Sequence, residues 1–154
     1  MQTPSYTYRD RWLNACLPLV SVTGWTETTM AQAARDADLD AGQQALAAPS
    51  GINDLIDHLF ERASLAAQDS LSDRDLSAYK THERGAEGVI AWLNALEPYR
   101  LAVRKAVHRG VMPWGAPAAG QQVWRTADWI WNVAGDTATD YNRYTKRGLL
   151  SAVI

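Results

Sequence analysis

The side chains of this chain that could carry out chemistry are three histidines, one cysteine and seventeen acidic residues, together with its serines. His58, His82 and His108 are far apart along the chain, and none has a second ligand at the helical or loop spacing that a zinc site requires. No two carboxylates sit in an apolar context that would separate their pKa values for acid–base work. These residues predict neither a metal site nor a catalytic pair.

The serines and glycines likewise fall outside known catalytic and cofactor patterns. Neither G-x-S-x-G nor S-x-x-K surrounds the serines at 64, 70, 72 and 77. The glycines at 110, 115 and 120 are spread around prolines and indicate a turn rather than a phosphate cradle. We therefore expect no cofactor and no enzymatic activity, although a small-molecule enzyme of unknown type stays open as an alternative.

Cys16 is the only cysteine, so an internal disulfide is excluded. It shares a helical face with Leu13, Leu17 and Val20, and no cation lies near it in sequence. Reactive cysteines need an electropositive setting. We interpret Cys16 as a small core residue.

Residues 124–147, WRTADWIWNVAGDTATDYNRYTKR, concentrate aromatic side chains. On a helix Trp124, Asp128 and Trp131 share one face at positions i, i+4 and i+7. Asp128 needs a partner if it is buried there, and Arg147 or Lys146 on the following helix is the expected one. The aromatic residues themselves could form core, a dimer seam, a lipid pocket or a partner-docking face.

The elements that position these residues are predicted to be helices throughout. Alanine is abundant, valine and isoleucine are scarce, and strand-like alternation is nowhere sustained, which indicates an all-α fold. Ser50 is predicted to cap the fourth helix, Gly135 to end the seventh, and Thr137-x-x-Asp140 to open an eighth that runs to Ile154. The predicted helices cover residues 9–20, 27–37, 41–48, 52 onward, 76–97, 98–109 and 117–134, and the eighth runs from the capping box at 137–140 to 154.

The first helices resemble the amino-terminal part of TetR-type regulators. The matching features are Gly24-Trp25, the Thr28-Thr29-Met30 helix start and the segment at residues 33–37. The recognition-helix position, AGQQALAA at residues 41–48, has no cation, and residues 12–61 carry a net charge of −6 against +5 for residues 98–154. Because duplex binding depends on neutralising phosphates, specific DNA binding is not expected. A ligand-responsive transcription regulator stays open as the runner-up function.

Three segments resemble the coenzyme Q (ubiquinone) biosynthesis accessory family, lipid-binding proteins built on the TetR fold. They are the aromatic stretch with its AGDT motif, LNALEPYRLAVRKAV at residues 93–107 and PWGAP at residues 113–117. The resemblance implies a non-catalytic protein that dimerises, binds an isoprenoid lipid and associates with membranes. It also implies a partner, the di-iron hydroxylase that modifies demethoxyubiquinone. Family members continue past the matched region into dimer helices and an amphipathic membrane helix, so membrane attachment is not carried over to these residues.

The resemblance and the chain's apolar positions together suggest two sites. The family's docking face begins the helix after the GDT motif, where the family usually has Trp at the position of Arg143. A long polyprenyl tail needs a long apolar slot, which we place between the fifth and seventh helices. The partner-binding residues are then Tyr141, Asn142, Arg143, Tyr144 and Arg147. The lipid-binding residues are Ile90, Leu93, Leu96, Val123, Trp124 and Ala127.

At the level of the whole chain, we expect one continuous domain. Residues 1–50 form a degenerate helix-turn-helix-like segment, and residues 51–154 form the lipid-binding and dimerisation part, which we expect to be truncated at its carboxyl end. No charged-then-apolar leader and no run of about 18 apolar residues is visible. We therefore expect a cytoplasmic homodimer, with peripheral contact to the inner membrane as an alternative.

Overall fold

The computed structural model describes residues 3–110, 116–136 and 141–152. Within these ranges the regular structure is helical and no strand is present, which confirms the predicted all-α class. The helices are α1 (Pro4–Thr23), α2 (Glu27–Asp36), α3 (Ala41–Ala47), α4 (Ile52–Ser72), α5 (Thr81–Leu96), α6 (Arg100–Gly110), α7 (Ala116–Val133) and α8 (Tyr141–Ser151), with a 3-10 turn at Glu97–Tyr99 before α6.

The start of α1 and the cap of α4 differ from the prediction for local reasons. α1 begins at Pro4 rather than residue 9, because the Thr3 hydroxyl accepts the Tyr6 backbone N–H at 3.3 Å and proline suits the first helical position. Ser50 does not cap α4 with its side chain. Its backbone N–H donates to the Asp54 carboxylate at 2.6 Å instead, and Gly51, at a φ of 68°, leads into the helix.

α5 and α8 are shorter than expected. α5 begins at Thr81 because the Glu83 carboxylate accepts the Lys80 backbone N–H at 2.7 Å, which fixes the first turn. The predicted continuation of α8 to Ile154 is wrong as far as the structure describes it, since α8 ends at Ser151. The Thr137–Asp140 capping box and most of the predicted loop after Met112 lie outside the described residues.

The chain divides into two compact units. The first comprises Met1–Glu61 with Tyr99–Ala118, and the second comprises Arg62–Pro98 with Ala119–Ile154. This division differs from the boundary predicted near residue 50, because the first half of α4 and all of α6 join the amino-terminal helices. The functions that we assigned to residues 1–50 and 51–154 stay predictions.

α1 is the central helix of the first unit and packs against α2, α3 and α6. Its face with Leu13, Cys16 and Val20 is fully buried, as the sequence predicted for the cysteine. Two indole N–H groups tie this core to neighbouring backbone: Trp12 donates to the Met30 carbonyl at 3.0 Å and Trp25 donates to the Ala102 carbonyl at 2.9 Å. Each large aromatic therefore buries its ring with its polar atom satisfied.

The α2–turn–α3 segment is held to the first turns of α1 by two arginines. Arg9 donates to the Ala47 carbonyl at 2.6 Å and Arg11 donates to the Ala37 carbonyl at 2.5 Å. Asp40 and Gln43 form a reciprocal capping box at the start of α3. The order of helices is that of a helix-turn-helix, while its TetR-like arrangement stays a prediction.

His58 is not isolated in space, although it is isolated in sequence. Its side chain is buried, with Nε2 at 3.2 Å from an Asp10 carboxylate oxygen and Nδ1 at 3.4 Å from a Glu61 oxygen. The Tyr6 ring meets the imidazole edge-on at 4.7 Å between centroids. Asp10 lies 48 positions away, so the helical and loop spacings of the sequence could not reveal this pairing.

In the second unit α5 approaches α7 closely at a glycine. A Cβ added to Gly88 would lie 3.3 Å from Cγ2 of Ile130, whereas one added to Gly85 would meet nothing within 4 Å. Gly88 therefore permits the close contact, and Gly85 does not take part in it. No helix in the described ranges has the length and hydropathy needed to cross a membrane.

Candidate partner-docking site

The connection after α7 is set by backbone hydrogen bonds around Gly135. The glycine has a φ of 77°, its N–H donates to the Asn132 carbonyl at 3.0 Å, and the Asp136 N–H donates to the Trp131 carbonyl at 3.0 Å. This pair of bonds is the Schellman pattern, which favours glycine at the left-handed position. It confirms the predicted stop at Gly135 and brings Asp136 back against the end of α7.

Arg147 of α8 is the buried centre of the site, with 2% of its surface exposed. Its Nε donates to the Asp128 carboxylate on α7, and one terminal nitrogen lies 3.3 Å from an Asp136 oxygen. The other terminal nitrogen lies 3.4 Å from the Asn132 side-chain oxygen. The sequence predicted Arg147 or Lys146 as the partner of Asp128; Arg147 takes this place, and Lys146 pairs with Asp136 instead. A buried guanidinium with two carboxylates fixes α8 against α7.

Lys146 makes a second set of contacts between the same helices. Its ammonium lies 2.7 Å from the other Asp136 oxygen and 5.5 Å from the Trp131 ring centroid, and its backbone carbonyl accepts the Trp131 indole N–H at 3.1 Å. The Asp136 carboxylate is 4% exposed, so two cations compensate one nearly buried anion. Trp131 thus contributes to the α7–α8 contact.

The environment of Asp128 lowers the pKa of its carboxyl. Partial burial by itself acts to raise this pKa, but the hydrogen bond and charge of Arg147, with the charge of Arg143, outweigh it. Arg143 lies 3.4 Å from the same oxygen and is largely exposed. Asp128 is therefore an ionised structural group at neutral pH.

An exposed aromatic pair lies on the outer side of this framework. The Trp124 ring on α7 and the Tyr144 ring on α8 stack with centroids 6.3 Å apart and planes inclined by 28°. Tyr144 is 62% exposed and Trp124 is 39% exposed, and Arg143, which precedes Tyr144 on α8, is exposed as well. Tryptophan, tyrosine and arginine are the residues that most often dominate the binding energy of protein interfaces. We call Trp124, Arg143 and Tyr144 the aromatic face.

The predicted partner-binding residues separate into two groups. Arg143 and Tyr144 are exposed on α8, as a docking role requires. Arg147 is buried in its ion-pair network, so its assignment as a contact residue is corrected: it positions α8 and does not face outward. Tyr141 and Asn142 begin α8, and their side chains lie outside the described part of the chain.

The predicted lipid-binding residues also differ from one another in exposure. Ile90 and Leu93 are half exposed, because α5 turns its face with Gly88, Trp92 and Leu96 inward. The remaining members of the predicted set are Leu96 and Ala127, which are buried, Val123, which is intermediate, and Trp124, which stacks on Tyr144. The six residues thus range from buried to half exposed, and the slot between α5 and α7 stays a prediction.

Asp136 is the site residue that sequence reasoning missed. The sequence did contain a signal for it. Asp136 directly follows the glycine that ends α7, and the residue after such a glycine folds back onto the end of the helix. Among the described residues no group of three or more His, Cys, Asp or Glu side chains could hold a metal ion. The arrangement of α7 and α8 is suited to presenting a rigid surface.

The helices that form this site also match a known protein family in sequence. The sequence model of the family COQ9 matches residues 116–154, the segment that contains α7 and α8. This chain resembles the COQ9 family. The mitochondrial ubiquinone biosynthesis protein COQ9 of Homo sapiens is 26% identical over 152 residues, covering 94% of this chain and 48% of that protein.

Further COQ9 relatives match in the same way. The Rattus norvegicus protein is 25% identical over 152 residues, and COQ9-A of Xenopus laevis is 26% identical over 148 residues, covering 92% of this chain. The chain spans about half the length of the curated COQ9 relatives it matches. The resemblance predicted from the sequence motifs, to a ubiquinone biosynthesis family, is confirmed.

Proposed function

We propose that this chain is a non-catalytic accessory protein of ubiquinone biosynthesis that binds an isoprenoid quinone precursor and presents it to a di-iron demethoxyubiquinone hydroxylase. The observation that carries the proposal is the position of the COQ9 match. It falls on α7 and α8, the helices that display the aromatic face on a buried ionic framework.

Docking of a partner protein is supported by the way in which buried Arg147 fixes the helix that carries the aromatic face. Tyr144 and Arg143 follow one another on α8, and the next turn of that helix carries buried Arg147. The exposed side chains are therefore presented on a rigid element, which lowers the entropy lost when a partner binds. Family members usually have tryptophan in place of Arg143, so we expect this chain to use a partner surface with a carboxylate opposite the guanidinium.

Lipid binding is proposed along α5 rather than between α5 and α7. Ile90 and Leu93 are about half exposed, at 50% and 52%, and lie three positions apart on the same side of the helix. Such a stripe offers apolar contact to a polyprenyl tail. We also propose that the chain forms a homodimer. A dimer contact that covers part of the surface at Ile90 and Leu93 would still leave room for the lipid.

The first experiment is native mass spectrometry of the purified chain, followed by identification of the extracted lipid. A co-purified isoprenoid quinone precursor is the expected result. Ile90→Asn with Leu93→Asn should lose this lipid, while Leu65→Asn, an exposed leucine on α4, should retain it. Phospholipid alone, or no lipid, would overturn the proposed ligand.

Docking is tested separately, by titrating the chain with the demethoxyubiquinone hydroxylase of the same organism. Tyr144→Ala should weaken binding at least tenfold, as interface hot spots do. Leu149→Ala is the matched control, because Leu149 is exposed on the side of α8 away from Arg147. Equal loss in both variants, or no binding by the unaltered chain, would refute docking through the aromatic face.

Location within the cell stays a prediction. The names of the relatives call those proteins mitochondrial, whereas the sequence led us to expect the cytoplasm with peripheral contact to the inner membrane. Fractionation of cells that make the chain at its natural level, with and without high salt, distinguishes a peripheral membrane pool from a freely diffusing one.

A further inference from the structure

Acidic and basic residues occupy separate stretches of the chain. Residues 36–61 hold six acidic residues and no lysine or arginine, whereas residues 98–127 hold five lysine or arginine residues and no acid. The first stretch contains α3 and the second contains α6, and both helices pack on α1 within the first unit. A single unit therefore carries segments of opposite charge.

The exposed side of α6 combines a cation with aliphatic side chains. Leu101 is 50% exposed and Val107 is 58% exposed. Arg104, which is also exposed, projects midway between them by helical geometry. The opposite side of α6 carries Ala102 and Ala106, which are buried. We call Leu101, Arg104 and Val107 the α6 face. This grouping favours an apolar contact with negative charge close to it.

The exposed residues around α3 have the complementary character. α3 exposes Gly42 and Ala45, whose small size leaves room for a second helix, and Leu46, which is 52% exposed. Asp36 at the end of α2 and Asp38 in the turn before α3 are exposed as well. We call Asp36, Asp38 and Leu46 the α3 surface. It offers an aliphatic contact together with carboxylates, as the α6 face requires.

The two surfaces are attached to different parts of α1. Arg11, in the early turns of α1, donates to the Ala37 carbonyl, whereas Lys105 of α6 donates to the Val22 carbonyl in the last turn. From residue 11 to residue 22 the helix rises about 16 Å, which is twice the Debye length of about 8 Å at physiological ionic strength. Glu27, in the first turn of α2, lies at the α6 end and sets one negative charge against the four cations of α6. The start of α6 therefore keeps most of its positive charge.

We propose that the α6 face of one copy of the chain docks on the α3 surface of a second copy. Leu101 and Val107 would pack against Leu46, while Arg104 would face the carboxylates that precede α3. Because two different surfaces meet, each copy keeps one unused surface of each kind, and further copies can add in the same way. The contact differs from a two-fold homodimer and does not depend on the role in ubiquinone biosynthesis.

A second copy is the occupant that the chain itself supplies. The α3 surface matches the α6 face both in charge and in exposed aliphatic side chains. A nucleic acid would match the charge alone and would leave Leu101 and Val107 in water. A contact made by one helix face is smaller than the roughly 1,200 Å² that stable complexes bury, so we expect weak and reversible association.

The first test is sedimentation velocity of the whole chain over a range of protein concentrations. We expect self-association at low salt that is largely lost at about 1 M salt, where the Debye length falls to about 3 Å. Arg104→Glu should weaken it at least about tenfold, because like charges then face each other. Lys80→Glu, at an exposed lysine of the second unit, makes the same change in net charge and should leave it nearly unchanged.

The α3 surface is tested with a double variant, Asp36→Lys with Asp38→Asn. Lysine suits the last turn of α2, and asparagine tolerates the left-handed backbone at position 38, where φ is 51°, so the variant should fold. Asp69→Lys with Asp73→Asn makes the same change in charge at two exposed acids of the second unit. Only the first pair should weaken self-association. Far-UV circular dichroism confirms that each variant is folded.

Mixing the two disrupted variants decides whether the contact is heterologous. Arg104→Glu keeps an intact α3 surface, and the Asp36/Asp38 double variant keeps an intact α6 face. An equimolar mixture should therefore form a larger species than either variant forms alone, and native mass spectrometry should find both variants in it. The proposal is overturned by an unaltered chain without salt-sensitive self-association, by equal losses from Arg104→Glu and Lys80→Glu, or by a mixture no larger than its components.

Discussion

Arg147 on α8 donates to the Asp128 carboxylate on α7 while its own guanidinium is almost wholly removed from solvent. The arginine also reaches the Asp136 carboxylate, whose side chain is 4% exposed. Both ends of this second pair are therefore buried, and removing either one leaves an uncompensated charge.

Replacing Arg147 with methionine should destabilise the chain by about 3–5 kcal/mol, the usual cost of breaking a buried ion pair from one side. Urea unfolding followed by far-UV circular dichroism gives the free energy of unfolding. Arg143→Met is the control, because Arg143 is exposed on the same helix and should cost under about 1 kcal/mol. Similar losses for the two variants would contradict the assignment of Arg147 as the buried centre.

The lowered pKa of Asp128 predicts a dependence of stability on pH. Because the folded-state pKa is below the unfolded-state value, Asp128 contributes stability that is fully present above about pH 5. The contribution is lost as the pH falls through the folded-state pKa. We expect Asp128→Asn to be less stable than the unaltered chain at neutral pH, with the difference shrinking below about pH 4. A difference that stays constant down to pH 3 would show that ionisation of Asp128 is unimportant.

Cys16 should be inert in the folded chain. Burial raises the pKa of its thiol from 9.0 to about 12, which reduces the thiolate fraction at neutral pH about a thousandfold. We expect reaction with an aromatic disulfide reagent to be undetectable in buffer and complete in denaturant. Fast labelling of the native chain would mean that α1 is more accessible than its buried face indicates.

Gly88 and Gly85 offer a matched pair for the α5–α7 contact. Gly88→Val should lower stability by about 1–3 kcal/mol, because the new side chain would overlap the Ile130 side chain. Gly85→Ala should instead raise stability by up to about 1 kcal/mol through helix propensity, since its Cβ meets no neighbour. Thermal unfolding measures both. Partial rescue of Gly88→Val by Ile130→Ala would identify Ile130 as the side chain that clashes.

Local signals predicted the parts of the structure that local interactions determine. Gly135 ends α7 because glycine suits the left-handed position there, and Cys16 faces the core as helical spacing predicts. The choice of Arg147 over Lys146 as the partner of Asp128 depends instead on how α8 packs on α7, which the sequence left open. The start of α5 was predicted wrongly because a capping interaction at Lys80 outweighs helix propensity in residues 76–80.

The exposure of the predicted lipid-binding residues depended on information that the sequence did not contain. Helical spacing shows that α5 has two rows of apolar residues, one with Ile90 and Leu93 and one with Trp92 and Leu96. It does not show which of the two rows faces the core. The close approach permitted by Gly88 turns Trp92 and Leu96 inward and leaves Ile90 and Leu93 at the surface. The pairing of His58 with Asp10 was hidden for a related reason, since it joins helices that are distant in sequence.

The side chains of α8 that contact α7 differ in how far they are buried: Arg147 is buried, whereas Arg143 and Tyr144, which contact Asp128 and Trp124 of α7, are exposed. Arg147 and Lys146 hold the helix, while Arg143 and Tyr144 on the preceding turn are exposed. Replacing Arg143 or Tyr144 should therefore cost the fold much less than replacing Arg147. Recognition and stability can vary almost independently on this short helix, so a new partner can be acquired without rebuilding the scaffold.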